Sequence, residues 1–218
     1  MNTNMLAIFL AFVQATSADR PLYPHLAAEI NEMTRVDQAI RNKWIGASTV
    51  KGADLKAIVD QMTAIDHEDT VRMKWIVSEF GWPTPAMVGA EASSNAWLLV
   101  QHADADLPFQ KRCLTLIEPL ANNKTIEGRF YAYLFDRVQV GSGKLQRYGT
   151  QGKVEEGLAW IQPVDDPARV DTYRKSMGLE SLETYLKGLA EVYKAKIAPD
   201  WRARLVLPNK SRNRPLQS

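Results

Sequence analysis

Apolar side chains recur at three- and four-residue steps along most of the chain, and this spacing predicts a mainly helical fold. Between Tyr23 and Trp44, the positions Leu26, Ile30, Met33, Val36 and Ile40 define one face. A second helix is predicted through "ADLKAIVDQMTAID", where Leu55, Ile58, Val59 and Met62 share a face, and it continues past Val71 and Trp75 to Phe80. Gly81 and the two prolines of "GWPTP" stop it, with Trp82 as a packing residue. Glu91 to His102 and Leu107 to Asn122 follow as further helices. Asp106 is placed to cap the latter, and Pro108 suits its first turn. Helical periodicity returns in "DPARVDTYRKSMGLESLETYLKGLAEVY", with Ser181 or Glu180 near the start of the last helix.

The texture changes after Gly128. "GRFYAYLFDRVQV" begins as a helix and ends in alternation. "VQVGSGKLQRYGTQG" then predicts a β-hairpin, with Val138 and Val140 on one arm, a Gly-Ser-Gly turn, and Leu145 and Tyr148 on the other. "GLAWIQPV" predicts another short extended piece. The expected fold class is mainly α (α+β): a single-domain helical bundle with a small β-hairpin, covering residues 19–200.

The two ends depart from this pattern. Met5 to Val13 is a compact apolar run, too short to span a bilayer as a helix, and "ATSA" supplies small residues for cleavage after Ala18. Residues 1–18 are therefore expected to be a signal peptide and the protein periplasmic or secreted, although no Lys or Arg precedes the apolar run. No other segment predicts a transmembrane span. At the other end, Lys194, Lys196, Arg202, Arg204, Lys210, Arg212 and Arg214 face Asp200 alone. Residues 201–218 are expected to form a basic, flexible tail capable of weak contact with acidic surfaces. The whole chain carries a net charge of only +2, and no basic patch with interleaved aromatics occurs elsewhere, so nucleic acid is not an expected partner. Six Trp and seven Tyr supply anchors for a folded core. Cys113 is the single cysteine, which excludes an intrachain disulfide and a cysteine-based zinc site; its helical neighbours predict a buried, inert thiol.

Three stretches carry candidate chemistry. In "WLLVQHADADLPFQ", one of only three histidines ends an apolar helix and meets an Asp-x-Asp. Glu91, Asn95, Leu98 and His102 share a helical face, and His102 is the candidate acid/base, or else a cation closing its own helix C-terminus. In "FDRV", Asp136 is a candidate second base or partner of His102, and Arg137 a candidate anion clamp; a junction-tying ion pair is the alternative. In "QRYGTQG", the residues Gln146, Tyr148 and Gln151, together with Gln110, are candidates for positioning a polar ligand, or form a buried network among themselves. His25, His67 and His102 are far apart and no His-Glu-x-x-His occurs, so neither a dedicated zinc site nor a cofactor is expected, while a carboxylate-rich divalent site using Asp104, Asp106 or Asp136 stays open. No phosphate loop, nucleophile elbow or dinucleotide fingerprint is present.

Taken together, "GWPTPAMVG", "LLVQHADAD" with Gln110 following, "YLFDRV", "QRYGTQG" and "GLESLETYL" resemble an uncharacterised bacterial family, domain of unknown function 6624, over roughly Asp37 to Leu186. The resemblance implies a shared fold and a shared polar set, and brings no activity with it. It also implies an Asn in the helix before "GWP", where this chain has Asp69 and Thr70. Two functions are consistent with these residues. One is an exported acid–base hydrolase or lyase acting on a polar small molecule or envelope component. The other is a non-enzymatic envelope module that binds a ligand or protein, with the same residues forming a structural network.

Overall fold

The computed structural model describes residues 21–48 and 55–206. Five helices form the larger part: α1 (Pro24–Ser48), α2 (Lys56–Phe80), α3 (Pro85–Gln101), α4 (Leu107–Asn122) and α5 (Gly128–Gly141). Their apolar stripes meet in one cluster that includes Ile30, Met73, Ile76, Ala96, Val100, Cys113, Ile117 and Leu134. Small side chains at Ala92, Ser93 and Ala96 line the buried face of α3, which lets α1 pack closely along it. The cap at Asp106 forms as expected, its carboxylate accepting from Phe109 N at 3.0 Å. Cys113 is buried, and desolvation pushes its thiol up to about 12, consistent with an inert core residue.

The smaller part is a three-stranded sheet with three short helices. β1 (Gly152–Glu155) and β2 (Leu158–Ile161) form an antiparallel hairpin, and β3 (Lys196–Ile197) adds parallel to β2. Together with α6 (Val170–Ser176), α7 (Leu182–Val192) and α8 (Trp201–Arg204), they bury a second cluster around Ile161, Leu186 and Ala198. Ser181 caps α7, accepting from Thr184 N at 3.2 Å.

The sequence-based expectation fails in two places. The hairpin is not made by Val138 to Tyr148. Helix α5 runs on through Val140, and the strands begin at Gly152, with Glu156 and Gly157 both at positive φ in the turn. The misleading signal is real: Phe130, Ala132, Leu134, Asp136 and Val138 are buried, while the residues between them are half-buried. Every second residue from Phe130 to Val138 is buried, and bulky residues on that spacing imitate the period of a strand. The second difference concerns residue 201, expected to begin a flexible tail. Trp201 and Leu205 are buried in the second cluster, so the fold extends to at least Val206. The expected leader and the rest of the basic tail lie outside the described residues. No described helix is long and apolar enough to cross a membrane.

Between α5 and β1 the chain turns sharply at Gly149, whose φ is +63°. A Cβ there would stand 2.7 Å from Leu182 Cδ1, so both conformation and space require glycine. Gly149→Ala is expected to lower stability by about 2–3 kcal/mol in urea unfolding, through strain plus overpacking.

Candidate functional site

The residues singled out from sequence fall into three sets: one around Asp136, one of Arg137 and Gln110 at the end of α3, and His102 with partners of its own. The first surrounds Asp136, which lies on the buried face of α5 with no exposed surface. Its carboxylate accepts from Arg147 N (2.8 Å), Tyr148 N (3.1 Å), Thr150 N (2.9 Å) and Thr150 Oγ1 (3.0 Å). All its described partners therefore come from one turn of chain. From the other side, the buried Arg174 donates to the carbonyls of Tyr148 (2.7 Å) and Gly149 (3.3 Å) and, through Nε, to that of Glu180 (2.6 Å). The turn is thus held between an anion that takes its N–H groups and a cation that takes its C=O groups. Gln146 extends the same construction. Its amide donates to the Gln151 and Gln162 carbonyls (3.1 and 2.8 Å) and accepts from Gln151 N (2.7 Å), pairing like a piece of strand. Gln151 Nε2 donates to Thr150 Oγ1 at 3.1 Å, and the Tyr148 ring is buried edge-on to Phe135.

Arg137, next along α5, points elsewhere. It donates to Gln101 Oε1 (3.0 Å) and Asp104 Oδ2 (2.7 Å). Gln110 donates to the carbonyls of Val100 and Gln101 (3.1 and 3.3 Å) and to Asp104 Oδ1 (3.2 Å). Gln110 thus serves the last carbonyls of α3, where Val100 O also accepts from Ala103 N, while Arg137 holds the side chains of Gln101 and Asp104. Asp136, Gln110, Arg137, Gln146 and Gln151 thus each spend side-chain hydrogen bonds on the protein itself. The expected partnership of Asp136 with His102 is not formed.

His102 has other neighbours. As the residue that ends α3, it turns its ring toward α1 and places Nδ1 2.9 Å from Asp37 Oδ1. Arg41, one helical turn after Asp37, brings Nε to 2.9 Å from both Asp37 Oδ1 and His102 Nδ1, and its Nη2 pairs with Asp66 on α2. Asp69 follows Asp66 by one turn, as Thr34 precedes Asp37 on the facing helix. Three helices thereby converge five ionisable side chains on one spot. Asp37 is sealed at 0% side-chain exposure, while His102, Arg41 and Asp66 retain 15%, 21% and 25%, so the cluster is open on one side. No described residue bonds His102 Nε2.

Electrostatics differ sharply across these carboxylates. Burial pushes Asp37 upward, but His102 and Arg41 together outweigh it and hold this carboxyl below its usual range. For Asp66, burial wins over Arg41 and the pKa rises. Asp69 is pushed up to about 7 by burial, reinforced by the charges of Asp37 and Asp66; its Oδ2 is enclosed and has no partner. Asp37, Asp66 and His102 also offer ligand atoms that all lie within 4.8 Å of one another. Sequence reasoning missed Asp37, Arg41, Asp66 and Asp69. The available signal was that Thr34, Asp37 and Arg41 occupy inward positions of α1, interrupting the stripe of Ile30 and Ile40.

A cleft of about 640 Å³ lies elsewhere, at the opposite end of α3 beside Pro85, Ala90, Lys124 and Met177. It is lined by no His or Asp, and its Glu127 and Arg129 pair with each other at 2.7 Å. Its chemistry is poorer than that of the cluster at His102.

Two outcomes are expected. Asp136→Asn lowers stability by about 2–4 kcal/mol in urea unfolding, because an amide cannot accept every N–H the carboxylate serves. Asp69 behaves oppositely. Its folded-state pKa lies above the unfolded one, so the folded protein keeps a proton that the unfolded chain has lost, and stability falls as pH rises from about 4 to about 7. In buffer containing EDTA, Asp69→Asn is therefore expected to be about 1–2 kcal/mol more stable than wild type at pH 8, with the difference shrinking toward pH 4.

No curated protein and no solved structure shows significant similarity to this chain. A family model does, over residues 24–198, which includes every described helix and strand except α8. The chain belongs to the family of unknown function DUF6624.

Proposed function

We propose that the chain is an enzyme of the hydrolase or lyase type, transferring protons to or from a polar small molecule or envelope component at the Asp37–Arg41–Asp66–His102 cluster. The observation that carries this is the unpaired, enclosed Asp69 carboxyl crowded against two other carboxylates. Like charges gathered in a half-buried site oppose folding, and a scaffold has no need of them; working sites do. His102 leaves Nε2 unbonded by any described residue and so available for proton exchange, with Asp37 and Arg41 holding Nδ1. Arg41 and the exposed edge of Asp66 provide charge for orienting a substrate. The network around Asp136, Gln146 and Arg174 acts as the scaffold, and Arg137 carries that rigidity to the end of α3. The apolar run of Met5 to Val13 and the small residues before Asp19 support a place of action outside the cytoplasm.

The test pairs turnover with stability. Wild type and His102→Gln are assayed on a panel of chromogenic esters, phosphoesters and glycosides, and both are unfolded in urea. The expected result is turnover of one class, reduced about 100-fold or more in the variant, with stability unchanged or slightly raised. Absence of turnover, together with a stability loss of about 1–3 kcal/mol in His102→Gln, would instead make the cluster an internal network and the protein a binding module.

A further inference from the structure

Three atoms lie at the corners of a triangle with 2.9 Å sides: Arg41 Nε, Asp37 Oδ1 and His102 Nδ1. Hydrogens cannot satisfy all three sides. If Nδ1 is bare, its lone pair faces the Asp37 carboxylate. If Nδ1 carries a proton, it and Arg41 Nε are two donors held against each other. Either way one close contact is repulsive. Replacing the Arg41 nitrogen by a cation removes the conflict, because Nδ1 and both carboxylates can then all act as donors to one centre.

The geometry points to a divalent transition-metal site formed by Asp37 of α1, Asp66 of α2 and His102 at the end of α3, with Arg41 displaced toward solvent when the ion binds. This rests on the reading of the cluster as the working centre and deepens it. Several observations agree. The three ligand atoms lie within 4.8 Å of one another. Donors about 2.0–2.2 Å from a shared ion stand roughly 3–4.4 Å apart, so closure needs only small rotations. Two carboxylates and one neutral imidazole balance a dication, and this mixed oxygen and nitrogen set suits manganese or zinc better than calcium. Asp69 is the independent sign of a missing partner. It is only 9% exposed and its enclosed Oδ2 has no hydrogen-bond donor, while it stands close enough to feel the charges of Asp37, Asp66 and Arg41. Thr34 Oγ1, a turn before Asp37, is likewise enclosed without a partner. Arg41 is long and partly exposed, and so can leave without unpacking a helix. Once the ion holds Nδ1, the ring proton resides on Nε2, the nitrogen that no described residue bonds.

The full-length chain, stripped with EDTA, is titrated calorimetrically with Mn²⁺ and with Zn²⁺ in two buffers of different ionisation enthalpy. One ion per chain is expected, with proton release, and with affinity reduced roughly tenfold or more in both Asp66→Asn and His102→Gln. Arg41→Gln, which removes the competing cation, is expected to bind more tightly than wild type. Thermal unfolding of each variant verifies that it is folded. Failure of the wild type to bind either ion below millimolar concentration overturns the proposal, as does binding that both ligand substitutions leave intact. Because the readout is binding, the two readings separate. Ion binding without turnover sinks the enzyme and leaves the site, whereas turnover that survives EDTA in a protein that binds neither ion leaves the enzyme and sinks the site.

Discussion

A buried carboxylate that finds its compensation in peptide N–H groups rather than in a cation is the constraint on which the rest of this structure hangs. Asp136 sits on the central helix α5 and gathers the amides of residues 147, 148 and 150. Arg174 takes the carbonyls of the same turn. Removing either charge leaves polar backbone without partners in a dry interior, where each lost bond costs more than it would at the surface. This turn is also where the helical bundle meets the sheet, so its hydrogen bonds join two cores that pack separately, alongside the ring contacts Trp44–Tyr193 and Tyr133–Tyr185.

That junction transmits order to the cluster. Arg137 follows Asp136 on the same helix but faces α3, where it holds Gln101 and Asp104 while Gln110 holds the last carbonyls. The end of α3 is thereby set in place, and His102 projects from it toward α1 and α2. An imidazole used in chemistry needs its ring plane and tautomer fixed by surroundings that do not themselves move. Here the surroundings reach from the sheet to the end of α3 through consecutive residues of one helix.

The cluster itself inverts the logic of the junction. Around Asp136 every carboxylate oxygen is served by donors, whereas around Asp69 an enclosed oxygen has none, with two further carboxylates nearby. Burial raises the pKa of both carboxyls, but only Asp136 has donors that work against it. Stability lost locally and retained across a well-packed scaffold is the pattern expected of a site kept for something other than folding.

Much of this was legible in the sequence. The boundaries near Phe80, Gln101 and Asn122 follow from glycine, proline and capping residues, whose effects are local and need no tertiary partner. The sequence also pointed to Asp136, Gln146 and Arg137 as unusual, because charged and amide side chains stood among core positions. Their duties were not legible. Local pattern cannot tell whether a carboxylate faces a histidine or a turn of backbone ten residues on. The end of α5 read as strand for a related reason: its buried residues alternate from Phe130 to Val138, which is the spacing of a strand. The site was the least visible of all. Asp37, Asp66 and His102 come from three helices, each with a few polar residues set into an apolar stripe, and only the packing of those helices makes them neighbours. Secondary structure is written in short-range preferences that the sequence alone determines. A constellation drawn from positions 37 to 102 is a product of helix packing, and only the tertiary structure could decide it.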